Sequence, residues 1–193
     1  MDSSTSVTDY EEVKGSAGTF GITSYVIEVF NFSPGVVTDY ELTVGQGLAV
    51  DLGQTVCVGF PNSINRVPFL LASGSVSVAD NDLSLNCNSL PLNTFGFFNT
   101  SMGYRELPSP AGSDGRICIA GAPIGRFVGP GQIMNSGSSG EFDLDIDLTA
   151  IPQPNGAVAA LPGDTWFFQV WYRDAFSGIP TSNFSSATRV RFE

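Results

Sequence analysis

The side chains here with most capacity for chemistry are acids, aromatic rings and three cysteines; histidine is absent. Without histidine no Ser–His or Cys–His nucleophile can be assembled, and the usual zinc sites are out. Carboxylates remain. In "EFDLDIDL", Glu141, Asp143, Asp145 and Asp147 alternate with Phe142, Leu144, Ile146 and Leu148. A strand's period of two turns the apolar set inward and puts the acids on one outer face. Like charges two residues apart repel, so Asp143, Asp145 and Asp147 are candidate ligands for a structural calcium ion. Spaced roughly 7 Å apart along a strand, they converge on an ion only with help from loops, and a solvated acidic face is the plainer expectation. Asp80 and Asp82 in "ADND" read first as a turn. Glu106, Asp114 and Asp174 fall in loops, where a glycosidase on a β-sandwich would hold its carboxylate pair. No spacing singles out two of them, so the sequence favours a protein that is not an enzyme.

The densest aromatic stretch is "GDTWFFQVWYRD", residues 163–174, with five rings within seven positions. Trp166, Phe168, Val170 and Tyr172 share one face and belong to the core. Phe167, Gln169, Trp171 and Arg173 share the other. There Trp171 could stack on a sugar ring while Gln169 and Arg173 bind its hydroxyls, which makes the three a candidate ligand-binding set. The alternative is structural: a loop or the N-terminal extension covers Phe167 and Trp171, with Arg173 stacked on the indole. The loop "GPGQIMNSGSSG" matches no phosphate-binding pattern. Asn31, Asn99 and Asn183 open Asn-x-Ser/Thr triplets, which arise easily by chance.

Elements of one kind must position these groups. A chain of 193 residues, 42% hydrophobic, has material for a real core. Its 22 glycines and 12 prolines are spread along the sequence and cut it into short segments, as in an all-β protein. "ITSYVIEVFNF", "TVCVGF", the two halves of "PFLLASGSVSVADNDLSLNC", "TFGFFNTS", "GRICIAG" and "EFDLDIDL" read as strands. "DTWFFQVWYRD" and "SSATRVRF" close the chain as an antiparallel pair across "AFSGIPTSN". No helix is expected. The fold class is an all-β antiparallel Greek-key sandwich over residues 20–193, with a polar N-terminal extension, residues 1–19. Such an extension is a tail unless a sheet edge, of this chain or of another molecule, holds it.

Charge narrows the partners. Nineteen acids against eight bases give −11, which repels phosphate backbones and anionic lipid. No run of about 20 apolar residues exists to span a membrane. "MDSSTSVTDYEEVKGSAG" lacks the regions of a secretory signal. Either a signal has been replaced at Met1 or the protein is not exported by that route, and composition favours the first. Cys57, Cys87 and Cys118 allow three single pairings, and none lies in a Cys-x-x-Cys pair.

Two resemblances follow. "LPGDTWFFQVWYRDAFSGIPTSNFSSATRVRF" is similar to the last two strands of fibronectin type III domains. More broadly, residues 55–193 resemble uncharacterised C-terminal modules on secreted proteins of planctomycete and myxobacterial type. "VCVGFPNS", "ASGSVSVADNDLSL", "LPLNTFGFF", "RICIAG", "NSGSSGEFDLDIDL", "GDTWFFQVWYRD" and "SNFSSA" carry that likeness. It implies an immunoglobulin- or fibronectin III-like sandwich, a Cys57–Cys118 disulfide and a free, buried Cys87. The expected function is that of a non-catalytic extracellular module acting by surface contact, in adhesion, display or self-assembly through N-terminal strand addition. A carbohydrate-binding module directed at cell-surface polysaccharide is the alternative. A glycosidase or lyase comes third. No cofactor is expected beyond the calcium ion considered above.

Overall fold

The structure is a computed structural model in which residues 52–193 are described. The N-terminal extension, the strand read at "ITSYVIEVFNF" and Asn31 lie outside the described residues. Strands follow one another in short steps, as the spread of glycine and proline predicts. The first four are β1 (Gln54–Cys57), β2 (Phe69–Gly74), β3 (Leu83–Asn88) and β4 (Phe95–Ser101). Four two-residue strands come next: β5 (Leu107–Pro108), β6 (Arg116–Ile117), β7 (Gly125–Arg126) and β8 (Met134–Asn135). Then come β9 (Phe142–Ile146), the small hairpin β10 (Ile151–Gln153) and β11 (Gly156–Val158), and the long pair β12 (Thr165–Phe176) and β13 (Ile179–Arg191). No α-helix occurs among the described residues, and the strands pair antiparallel.

Two sheets carry the fold. The larger runs β1–β13–β12–β4–β7, with β8 also on β4; the smaller runs β2–β3–β9. Period two decides what lies between them. Trp166, Phe168, Val170 and Tyr172 of β12, with Phe98, Val190 and Phe192, are buried against Leu70, Leu85, Cys87, Phe142 and Ile146 of the small sheet. The inner face of "DTWFFQVWYRD" is therefore core. Gly96 lets the layers close: a Cβ there would come within 2.6 Å of the Phe142 ring.

The long hairpin departs from the sequence reading. "AFSGIPTSN" is not a nine-residue connection; β12 and β13 stay paired out to Phe176 and Ile179 and turn on Ser177 and Gly178 alone. Both turn residues have positive φ, +49° and +80°, the mark of a type I′ turn matched to strand twist. Further along, register slips between Gln169 and Trp171. Ser185 and Ser186 bulge there. The Ser185 hydroxyl accepts from Val170 N–H at 2.9 Å, and that of Ser186 accepts from Leu70 N–H on β2, also at 2.9 Å. Ser186 N–H in turn donates to Pro68 C=O at 2.8 Å. With this bulge β13 bonds to both sheets.

Candidate functional site

The outer face of the large sheet holds the residues singled out for ligand binding, and the structure separates them. Gln169 is fully buried. Its Oε1 accepts from Cys118 N–H at 2.9 Å, and its Nε2 donates to the carbonyls of Arg116 and Ser185, each at 2.9 Å. Every polar atom of the amide is occupied by backbone, so Gln169 is not part of an exposed platform. The burial has a simple cause: a cover lies on this face. β5 and β6 place Ile117, Cys118 and Ile119 over Ala187 and Phe184, and Phe167 and Trp171 pack against the same cluster. The Cys57–Cys118 disulfide, Cα atoms 6.5 Å apart, ties the cover to β1. Glu106 and Arg116 pair at 2.6 Å beside it, and the guanidinium lies 4.9 Å from the centre of the Phe60 ring. The Tyr104 hydroxyl, and after it Arg116, hold the Glu106 carboxyl below its ordinary range.

Trp171 sits at the margin of the cover, half-buried, its ring 5.0 Å from that of Phe97 on β4. It stacks on Phe97 rather than on Arg173, which is exposed. Phe95, on the same face of β4, is 51% exposed. Trp171, Phe97 and Phe95 thus make a short aromatic row that opens to solvent at one end.

The acidic strand also behaves differently from a metal site. Asp143 accepts from Asn86 Nδ2 at 2.7 Å, Asp145 from the Ser84 hydroxyl, and Asp147 from Thr149 N–H and Oγ1–H at 2.9 and 2.7 Å. Thr149 draws the Asp147 carboxyl below its usual range. Each carboxylate turns to its own neutral donor, and among the described residues no three metal-binding side chains form a cluster. The three aspartates share a face but do not converge. Asp80 accepts from the Ser75 hydroxyl at 2.6 Å within the β2–β3 connection.

Asp114 and Asp174 do meet in one place. They line an open cleft of about 600 Å³ at the end of the sandwich, with Asn62, Ser63, Phe176 and Asn183. Asp174 is occupied there: its oxygens accept from Ser63 N–H at 3.2 and 3.3 Å and from Asn183 Nδ2 at 3.2 Å. Glu106 lies in the cover beside Arg116 and does not line this cleft. Asn99 and Asn183 are both buried. Cys87 is a free thiol, fully buried, and desolvation raises its pKa far above the ordinary value.

The feature missed at sequence level rims that cleft. Phe176 and Ile179 face each other across the tip of the long hairpin, 65% and 68% exposed. Its signal was present as Ser-Gly flanked by apolar residues, a two-residue hairpin pattern.

These features define an all-β antiparallel sandwich with a disulfide-tied cover on one face and an apolar hairpin tip at one end. The chain matches no protein-family model, no curated protein and no solved structure with significance.

Proposed function

We propose that this chain is a non-catalytic, extracellular β-sandwich module that works by surface contact, in adhesion, display or self-assembly at a cell surface or in a filament. The observation that carries the reading is the hairpin tip. Two large apolar side chains, adjacent and about two-thirds exposed, sit on a two-stranded arm, where burial against a partner is the gain open to them. The disulfide supports an oxidising compartment. The non-catalytic reading is supported by Asp174, whose carboxylate braces the loop at Ser63. The strand order supports an immunoglobulin- or fibronectin III-like Greek key: β2, β3 and β9 would be strands A, B and E, and β4, β7, β12 and β13 strands C, C′, F and G. It is also the architecture that the likeness to secreted C-terminal modules implies. Self-binding tests the contact reading. With one copy immobilised and another flowed over it, the Phe176→Ser, Ile179→Ser double variant should bind at least tenfold more weakly than the parent. Equal binding, or none by the parent, would count against the tip.

A second reading, carbohydrate binding, is favoured by one observation: Trp171 and Phe97 stack at the edge of the cover with Phe95 open beside them. Such a row suits a sugar's apolar face, with Arg173 as the polar contact. Retention on a polysaccharide panel that drops on Phe95→Ala and Trp171→Ala would establish it. Retention unchanged by both would dismiss it.

A further inference from the structure

The small sheet ends at β9, and among the described residues no strand pairs with its far side. An open edge is a row of unmet backbone donors and acceptors, and the side chains of β9 state what would complete it. Of its inward residues, Phe142 and Ile146 are buried to 1% and 3%, whereas Leu144 between them stays partly exposed. Among the described residues, the middle of the strand is where a neighbour is missing. On the outer face, Asp143 and Asp145 are held from β3 alone, by an amide of Asn86 and a hydroxyl of Ser84.

A strand added to this edge therefore needs an apolar residue opposite Leu144, flanked by hydroxyl or amide side chains opposite the two aspartates. β9 of another copy cannot serve, because antiparallel pairing about Leu144 sets Asp143 against Asp145, and like charges directly opposite destabilise. Within residues 1–51 an apolar residue flanked on both sides by hydroxyl or amide side chains occurs at Ser6–Val7–Thr8 and at Asn31–Phe32–Ser33. Pro34 follows directly on the second and takes a backbone donor from any added strand, whereas the first lies inside the uncharged, proline-free run Ser3–Thr8. The observed partners of the aspartates are of the same chemical kind. We propose that β9 accepts residues 3–8 of a second copy as an added antiparallel strand. Val7 then covers Leu144, and Ser6 and Thr8 face Asp145 and Asp143. The inference rests on the reading that the module assembles with copies of itself, and it names the acceptor and the donor.

The test uses the full chain, with light scattering for mass and amide hydrogen exchange for the edge. The parent should grow beyond its 20.4 kDa monomer as concentration rises, with slowed exchange at residues 142–146. Ser6→Glu with Thr8→Glu sets acid against acid and should weaken association at least tenfold, with exchange at 142–146 restored. Adding Asp143→Lys and Asp145→Lys to that variant reverses the charge pattern and should recover assembly. A parent that stays monomeric overturns the proposal, as does an oligomer whose 142–146 amides exchange as fast as in the Glu variant. Protection of those amides in a monomer also overturns it, since the strand would then come from the same chain. If self-binding survives in the Glu variant but is lost on Phe176→Ser with Ile179→Ser, the surface-contact reading stands while strand addition falls.

Discussion

Gln169 shows how one residue can change the meaning of a face. Its neighbours Phe167, Trp171 and Arg173 invite a binding interpretation, yet its amide joins β12 to Arg116 and Cys118 in the cover and to Ser185 in the bulge. A side chain of similar size without the amide would strand those backbone groups in a dry interior, and each such loss costs about 1–3 kcal/mol. Gln169→Leu is therefore expected to lower unfolding free energy by about 2–4 kcal/mol, read as a lower urea midpoint at unchanged slope. A shift under about 0.5 kcal/mol, the size of an ordinary surface substitution, would mean the cover is held by its apolar contacts alone. Polarity in the sequence could not distinguish these roles. Glutamine on an outer strand face reads as solvent-facing, and only the arrival of a chain segment 51 residues earlier makes it buried. The aspartates of β9 were legible to a different degree: period two placed Asp143 and Asp145 outward, while their partners Asn86 and Ser84 depended on which strand lay beside them.

At the scale of elements, hydrophobic alternation located β3, β4, β9 and β12 well, because each shows one apolar face to the core. It failed where strands are held by something other than alternation. β13 begins within "GIPTSN", where proline and small polar residues suggest a loop, and its buried serines and Asn183 serve as hydrogen-bonding groups. β10 and β11 are three residues each and leave no periodic trace. The cover, too, is short of regular structure, and its attachment by Cys57–Cys118 matters accordingly. The bridge closes a separation of 61 residues, a loop for which chain entropy gives roughly 4 kcal/mol as an upper figure. Replacing both cysteines by serine should lower stability by about 2–4 kcal/mol. Acrylamide should then quench Trp171, which packs against the cover, while the core ring Trp166 stays protected. Parallel increases for both indoles would show instead that the whole sandwich has loosened.

At the largest scale, the described residues form a sandwich in an acidic chain, with an exposed apolar tip on the long hairpin and, among those residues, a small-sheet edge with which no strand pairs. Composition alone pointed to many strands and to a surface hostile to nucleic acid. Which apolar groups stay exposed was not legible, because exposure depends on how far a hairpin extends and where a sheet stops. Those are outcomes of pairing between distant segments. The bulged strand β13 has a consequence for how the molecule comes into being. It lies against β1 and β12 in one sheet and bonds through Ser186 to β2 of the other, yet it comes last in sequence among the described strands. Gln54 finds its partner only when Arg189 has been made. While the polypeptide is being synthesised, β2, β3 and β9 can already pair among themselves, but the β1 pairing and the bond from Ser186 to β2 must wait until β13 has emerged.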